Sequence, residues 1–137
     1  MRPILKVDRE RRQVFGWASV SVRVNGEVVC DYQGDKIAPE VLEQAAYEYT
    51  ANFGVAGEMH EKSHVGKLIE SVVFTEEKGD AMGIPLGILP QGWWVGFQIS
   101  DSLVWEKIKD GTYTMFSIEG TANRVDENRC LWEEEKF

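Results

Sequence analysis

Residues 14–24 (Val-Phe-Gly-Trp-Ala-Ser-Val-Ser-Val-Arg-Val) alternate between apolar and small or polar side chains. A two-residue period places alternate side chains on opposite faces and predicts a long strand. Asn25-Gly26 follows, a pair suited to the positive φ of a tight hairpin turn, and Val28-Val29-Cys30 forms the return. A shorter strand is predicted over residues 4–8. The period changes at Pro39, whose missing N–H costs nothing at a first helical position. Val41, Leu42, Ala45, Ala46, Tyr49 and Phe53 then fall on one side of a helix over 39–53, with Gly54 as its stop. Residues 54–65 read as loop, 66–75 as a strand, 76–80 as a charged turn, and the glycine- and proline-rich stretch 82–91 as a loop. Residues 92–99 read as a strand that sends Trp93 and Trp94 to opposite faces. Asp101 or Ser102 caps a short helix to Asp110, which Gly111 ends, and 112–122 make a last strand. The prediction is an α+β domain over residues 1–137, a small, mostly antiparallel β-barrel or curved sheet flanked by helices.

Composition narrows the function classes. The chain has 137 residues and a net charge of −8. That balance argues against a nucleic-acid role, which calls for basic excess or a basic stripe. Arg9, Arg11 and Arg12 are interrupted by Glu10 and read as a solvated turn, and Glu133-Glu134-Glu135 as a solvated acidic tail. No stretch approaches the ~20 apolar residues of a membrane span, and the N-terminus lacks the apolar core of a signal peptide. Cys30 and Cys130 belong to no C-x-x-C pair and stand beside no histidine, so reduced thiols and a cytoplasmic setting are expected rather than a disulfide framework.

The two histidines share one segment, Glu58-Met59-His60-Glu61-Lys62-Ser63-His64. His60 to His64 spells H-E-x-x-H, which on a helix puts both imidazoles on one zinc ion with Glu61 as general base. Gly54 and Gly57 before it and Val65-Gly66 after it leave little room for that helix, and no third ligand stands out. Two histidines on a surface loop are the plain alternative. The other chemistry is nucleophilic. In the strand 112–122, alternation puts Tyr113, Met115, Ser117 and Glu119 on one face, so the Ser117 hydroxyl would stand on a rigid element. A serine hydroxyl needs a neighbouring base, and the chain offers two imidazoles. The pattern alone does not separate Ser117 from Ser71 or Ser100.

Several segments carry a resemblance in order and spacing. They are Phe15-Gly16-Trp17-Ala18, Asp31-Tyr32-Gln33-Gly34-Asp35, the helix segment Glu43-Gln44-Ala45-Ala46-Tyr47, and Met59-His60 with Gly66-Lys67-Leu68-Ile69-Glu70-Ser71 just after it. Gly92-Trp93-Trp94-Val95-Gly96, Trp105 through Gly111, and Phe116-Ser117-Ile118-Glu119-Gly120 complete the set. Over about residues 14–123 the chain resembles the XkdF-like phage serine proteases, relatives of prohead proteases and more distantly of herpesvirus assemblins.

The resemblance implies Ser117 as nucleophile and His60 as general base, without cofactor or metal. Assemblins complete a triad with a histidine downstream of the serine, and this chain has none there. Glu70 is the first choice to orient His60, because alternation places it with Leu68, Val72 and Phe74 and suggests partial burial; His64 and Asp35 are the other candidates, or the site is a dyad. The implied substrates are phage scaffold and major capsid protein, cut inside the assembling prohead in the host cytoplasm. A homodimer is expected by analogy, with no nucleic-acid or membrane partner. The alternatives are a head-assembly protein that kept the fold and lost activity, and the zinc peptidase. The loop 82–91 could border a substrate groove.

Overall fold

The sheet is assembled from strands far apart in sequence, with the most apolar of them in the middle. The computed structural model describes residues 2–30, 36–52, 55–58, 62–112 and 115–116. Along the chain run β1 (Arg2–Pro3), β2 (Lys6–Asp8), β3 (Gln13–Val22), α1 (Pro39–Asn52), β4 (Val55–Glu58), β5 (Lys62–Phe74), α2 (Glu76–Met82), β6 (Gln91–Ile99), α3 (Ser102–Lys109) and β7 (Met115–Phe116). Five strands form one antiparallel sheet in the order β2-β3-β6-β5-β4, and β1 pairs with β7 in a separate two-stranded sheet. The fold is α+β. Among the described residues the large sheet is open, so the barrel half of the expectation gives way to a sheet with two margins, β2 and β4.

One face of the sheet carries the core. Val14, Val73, Trp93, Val95, Phe97 and Ile99 lie buried there beneath Leu42, Ala46 and Tyr49 of α1 and Val104 and Trp105 of α3. Of the predicted helical stripe, Leu42, Ala46 and Tyr49 dock while Val41 and Ala45 are exposed and Phe53 lies outside the described residues; the Tyr49 ring meets Trp93 edge-on, centroids 5.4 Å apart. Each large apolar side chain so buried contributes about 1.5–3 kcal/mol before entropy is charged. Trp93 faces this core and Trp94 the opposite side, as the alternation requires.

Two segments differ from the sequence reading. Residues 54–65 were expected as loop, yet β4 occupies 55–58 and β5 begins at Lys62, with Glu58 opposite Lys62 and Val55 opposite Lys67. Residues 76–80, expected as a charged turn, start α2. Its drive is local: the Thr75 hydroxyl accepts from the Lys78 N–H at 3.1 Å, Glu76 and Glu77 sit in the first turn, and Gly83 ends it with φ 77°. Gly79 in its middle disguised it as a turn.

Lys78 ties α2 to α1. Its ammonium donates to the Val73 carbonyl at 2.7 Å, pairs with Glu43 at 3.0 Å, and lies 3.3 Å from the Tyr47 hydroxyl. The Lys78 hydrogen bond lowers the Glu43 pKa against a smaller opposing push from burial. For Lys78, burial pulls the pKa down, but the bonds to Glu43 and Tyr47 together outweigh it and the net shift is upward.

The expected hairpin forms after β3. Gly26 takes φ 88°, the Arg23 N–H reaches the Glu27 carbonyl at 2.8 Å, and Val28 bridges back to Val22. Just beyond, half-buried Cys30 is disulfide-bonded, which corrects the expectation of a reduced thiol at this position. Arg9, Arg11 and Arg12 form the exposed turn between β2 and β3, held by Asp8, whose Oδ1 accepts from the Glu10 and Arg11 N–H groups. No helix among the described residues is long and apolar enough to cross a membrane.

Candidate functional site

His60, Ser117 and Asp35 lie outside the described residues. The chain on either side of His60 is described, and so are the two residues before Ser117. Residues 59–61 join β4 to β5 between the paired Glu58 and Lys62. Ser117 directly follows β7, where Phe116 pairs with Arg2 and Met115 with Pro3. His64 lies within β5. That strand bears on the zinc reading: H-E-x-x-H needs a helical turn to bring two histidines four apart onto one ion, and the chain is extended from Lys62 onward. Among the described residues no group of three metal-binding side chains gathers.

Glu70 stands elsewhere than alternation suggested. The ladder between β5 and β6 slips between Leu68 and Glu70, with Leu68 opposite Phe97 and Glu70 opposite Gly96. One extra residue reverses the facing of everything beyond it. Leu68 therefore packs on the helix-covered core, while Glu70 belongs to the other face with Val72 and Phe74 and is exposed rather than partly buried. Its Oε1 accepts the Trp94 indole N–H at 2.8 Å.

Ser71, one of the two rival serines, points the other way. Trp93 Nε1 donates to its hydroxyl at 2.8 Å, and Thr50 Oγ1 lies 3.2 Å from it. That hydroxyl is part of the joint between α1 and the sheet. Ser100, the second rival, is exposed just after β6.

The face that Glu70 shares is aromatic. The register sets Trp17 beside Trp94 and Trp94 beside Val72, with Phe74 opposite Gly92 in the next row. Trp17 meets Trp94 at 5.4 Å and 81°, and Phe74 at 5.9 Å and 69°. In the row beyond, the Phe15 ring lies across Gly96 toward Glu70, capped by the Lys6 ammonium 4.8 Å from its centroid. Trp17, Val72, Phe74 and Trp94 are half-buried. Sequence reasoning missed this cluster. The alternation in β3, β5 and β6 held the signal, but the partners depend on a register with two slips in β3 and one in β5.

Of the loop 82–91 considered as a groove wall, Met82 ends α2 and Gln91 begins β6, which leaves 83–90 as the connection. With Phe74 and Thr75 it lines a small, partly open cleft of about 30 Å³. Leu86 and Ile88 stand 75% and 62% exposed at its tip.

Compared with known families, residues 1–126 match the model described as "Putative phage serine protease XkdF". No curated protein and no solved structure matches the chain.

Proposed function

The chain belongs to that XkdF family of phage serine proteases, and on this footing we propose that it hydrolyses peptide bonds during phage head assembly, with Ser117 as nucleophile and His60 as its base. The observation that carries the reading is the family match, whose range of residues 1–126 includes both positions. The topology is compatible with it. Position 60 falls in the β4–β5 connection and position 117 directly after a paired strand, so each candidate adjoins a hydrogen-bonded element that can fix its backbone.

In this mechanism the Ser117 hydroxyl attacks the peptide carbonyl as the His60 imidazole takes its proton. The protonated imidazole then delivers that proton to the leaving amine, an acyl-enzyme remains on Ser117, and water releases it by the same relay. A Ser117–His60 dyad suffices for these steps. Glu70 as a third, orienting group is a secondary proposal. It would use Oε2, since Oε1 is engaged by Trp94, and that role and a bound cation on the same oxygen exclude each other. The proposed substrates are the phage scaffold and major capsid protein, in the assembling head within the host cytoplasm, and a homodimer is the proposed working form.

The test is incubation of the protein with scaffold and capsid protein, followed by mass spectrometry of the products. Cleavage by the unaltered protein and its loss in Ser117→Ala and in His60→Ala is the expected result, with a drop of about 10⁴ or more in kcat. Undiminished processing by Ser117→Ala would overturn the serine mechanism. No cleavage by the unaltered protein would favour a head-assembly role without catalysis, and loss of cleavage on chelation would favour a metal.

A further inference from the structure

The aromatic face opposite the helices ends in a carboxylate, and the combination has a chemical preference. Trp17 and Trp94 stand nearly perpendicular, Phe74 stands edge-on to Trp17, and the exposed Glu70 lies at the rim with its Oε1 on the Trp94 indole. An indole that donates its N–H to a carboxylate gains electron density, so the Trp94 face becomes more attractive to a cation. Perpendicular aromatic rings with an acid at the rim are the geometry in which an ammonium or guanidinium is held by ring faces and paired at its edge. The same sheet face already does this internally, where Lys6 caps Phe15. Among the described residues no cation caps Trp17 or Trp94 in that way.

From this juxtaposition we propose that Trp17, Trp94, Phe74 and Glu70 form a recognition corner for a lysine or arginine side chain on a bound peptide. The inference deepens the peptidase reading and rests on it only in taking the ligand to be a peptide. Charge complementarity favours a basic occupant over an apolar one: an apolar side chain would dehydrate the Glu70 carboxylate with nothing in return, whereas a cation pairs with its remaining oxygen, Oε2. The net charge of −8 draws basic segments toward the molecule at long range.

The experiment separates binding from hydrolysis by using the Ser117→Ala protein. Its tryptophan indole N–H signals are followed by ¹⁵N NMR during titration with a glycine–serine peptide bearing one central lysine, and with the same peptide bearing norleucine. The lysine peptide should shift the Trp94 and Trp17 signals saturably and bind about tenfold tighter than the norleucine peptide, the gain of one cation–π contact with one exposed ion pair. Glu70→Gln, at an exposed position that keeps an acceptor for the indole, should erase most of that preference and leave norleucine binding unchanged.

Equal binding of the two peptides would overturn the proposal in favour of a plain apolar shelf. Retention of the preference in Glu70→Gln would overturn the role of the carboxylate. Indole signals that move with protein concentration and not with peptide would assign the face to a second copy of the chain, also overturning it. None of these outcomes touches the cleavage assay, so failure here and failure of the serine mechanism remain distinguishable.

Discussion

A Cβ on Gly92 would stand 2.6 Å from the carbonyl oxygen of Ser19 and 3.0 Å from the Cα of Val20. Both obstacles are backbone, in a strand fixed by its ladder to β6, and they lie between the two slips of β3. Gly92→Ala must therefore push β3 and β6 apart. We expect a loss of about 1–3 kcal/mol, read as a lower urea midpoint with little change in its slope. A midpoint equal to that of the unaltered protein would show that the strands separate at no cost.

Ser71→Ala leaves the Trp93 indole N–H without its partner on the core side of the sheet. The expected cost is about 1–3 kcal/mol, the penalty of an unsatisfied donor rather than the smaller worth of a hydrogen bond. Peptide cleavage at a temperature well below unfolding should persist. Loss of activity in the folded variant would transfer the nucleophile question to Ser71.

Thr75→Ala removes the hydroxyl that receives the Lys78 N–H at the start of α2. A cap of this kind is worth about 1 kcal/mol. Thr75→Ser should recover most of the midpoint lost in thermal unfolding, and Thr75→Asp should recover it as well through the helix dipole.

The Lys78–Glu43 pair gives stability a definite pH window. The Glu43 carboxyl is held below its ordinary value, so its contribution is present above the ordinary carboxylate range and fades as acid takes the pH down through the lowered value. The Lys78 pKa is raised, so its contribution is complete below the ordinary amine range and is lost as the pH climbs through the raised value. Lys78→Met should cost about 1 kcal/mol near neutrality, since the pair is partly solvated. The gap between the two urea midpoints should narrow at both extremes. A gap independent of pH would mean that the lysine acts through its methylene stem alone.

Residues with strong periodicity or strong punctuation were legible before any coordinates. The stripe from Val41 to Tyr49 gave α1, Asn25-Gly26 gave the turn, and Asp101 gave the cap of α3, whose Leu103 and Val104 N–H groups both reach its Oδ1. What escaped was register. Alternation assigns faces only while the ladder is regular, and the slip between Leu68 and Glu70 reversed one half of β5 relative to the other. That single residue moved Glu70 from an expected half-buried position beside Leu68 to an exposed one beside Trp94. β4 was missed because Val55-Ala56-Gly57-Glu58 is too short and too small to announce a strand without its partner. The family resemblance, by contrast, was legible, because it depends on the order of short segments rather than on their pairing.

Strand six lies between strands three and five in space but follows both in the chain. During synthesis from the N-terminus, the ribosome therefore completes the β2–β3 pair and the β4–β5 pair while nothing yet exists to bridge them. Each nascent pair exposes an unpaired backbone edge and an uncovered apolar face until about residue 99 has emerged. The interval before that moment is when this polypeptide is most open to wrong strand partners, and a chaperone that shields edges would matter most then.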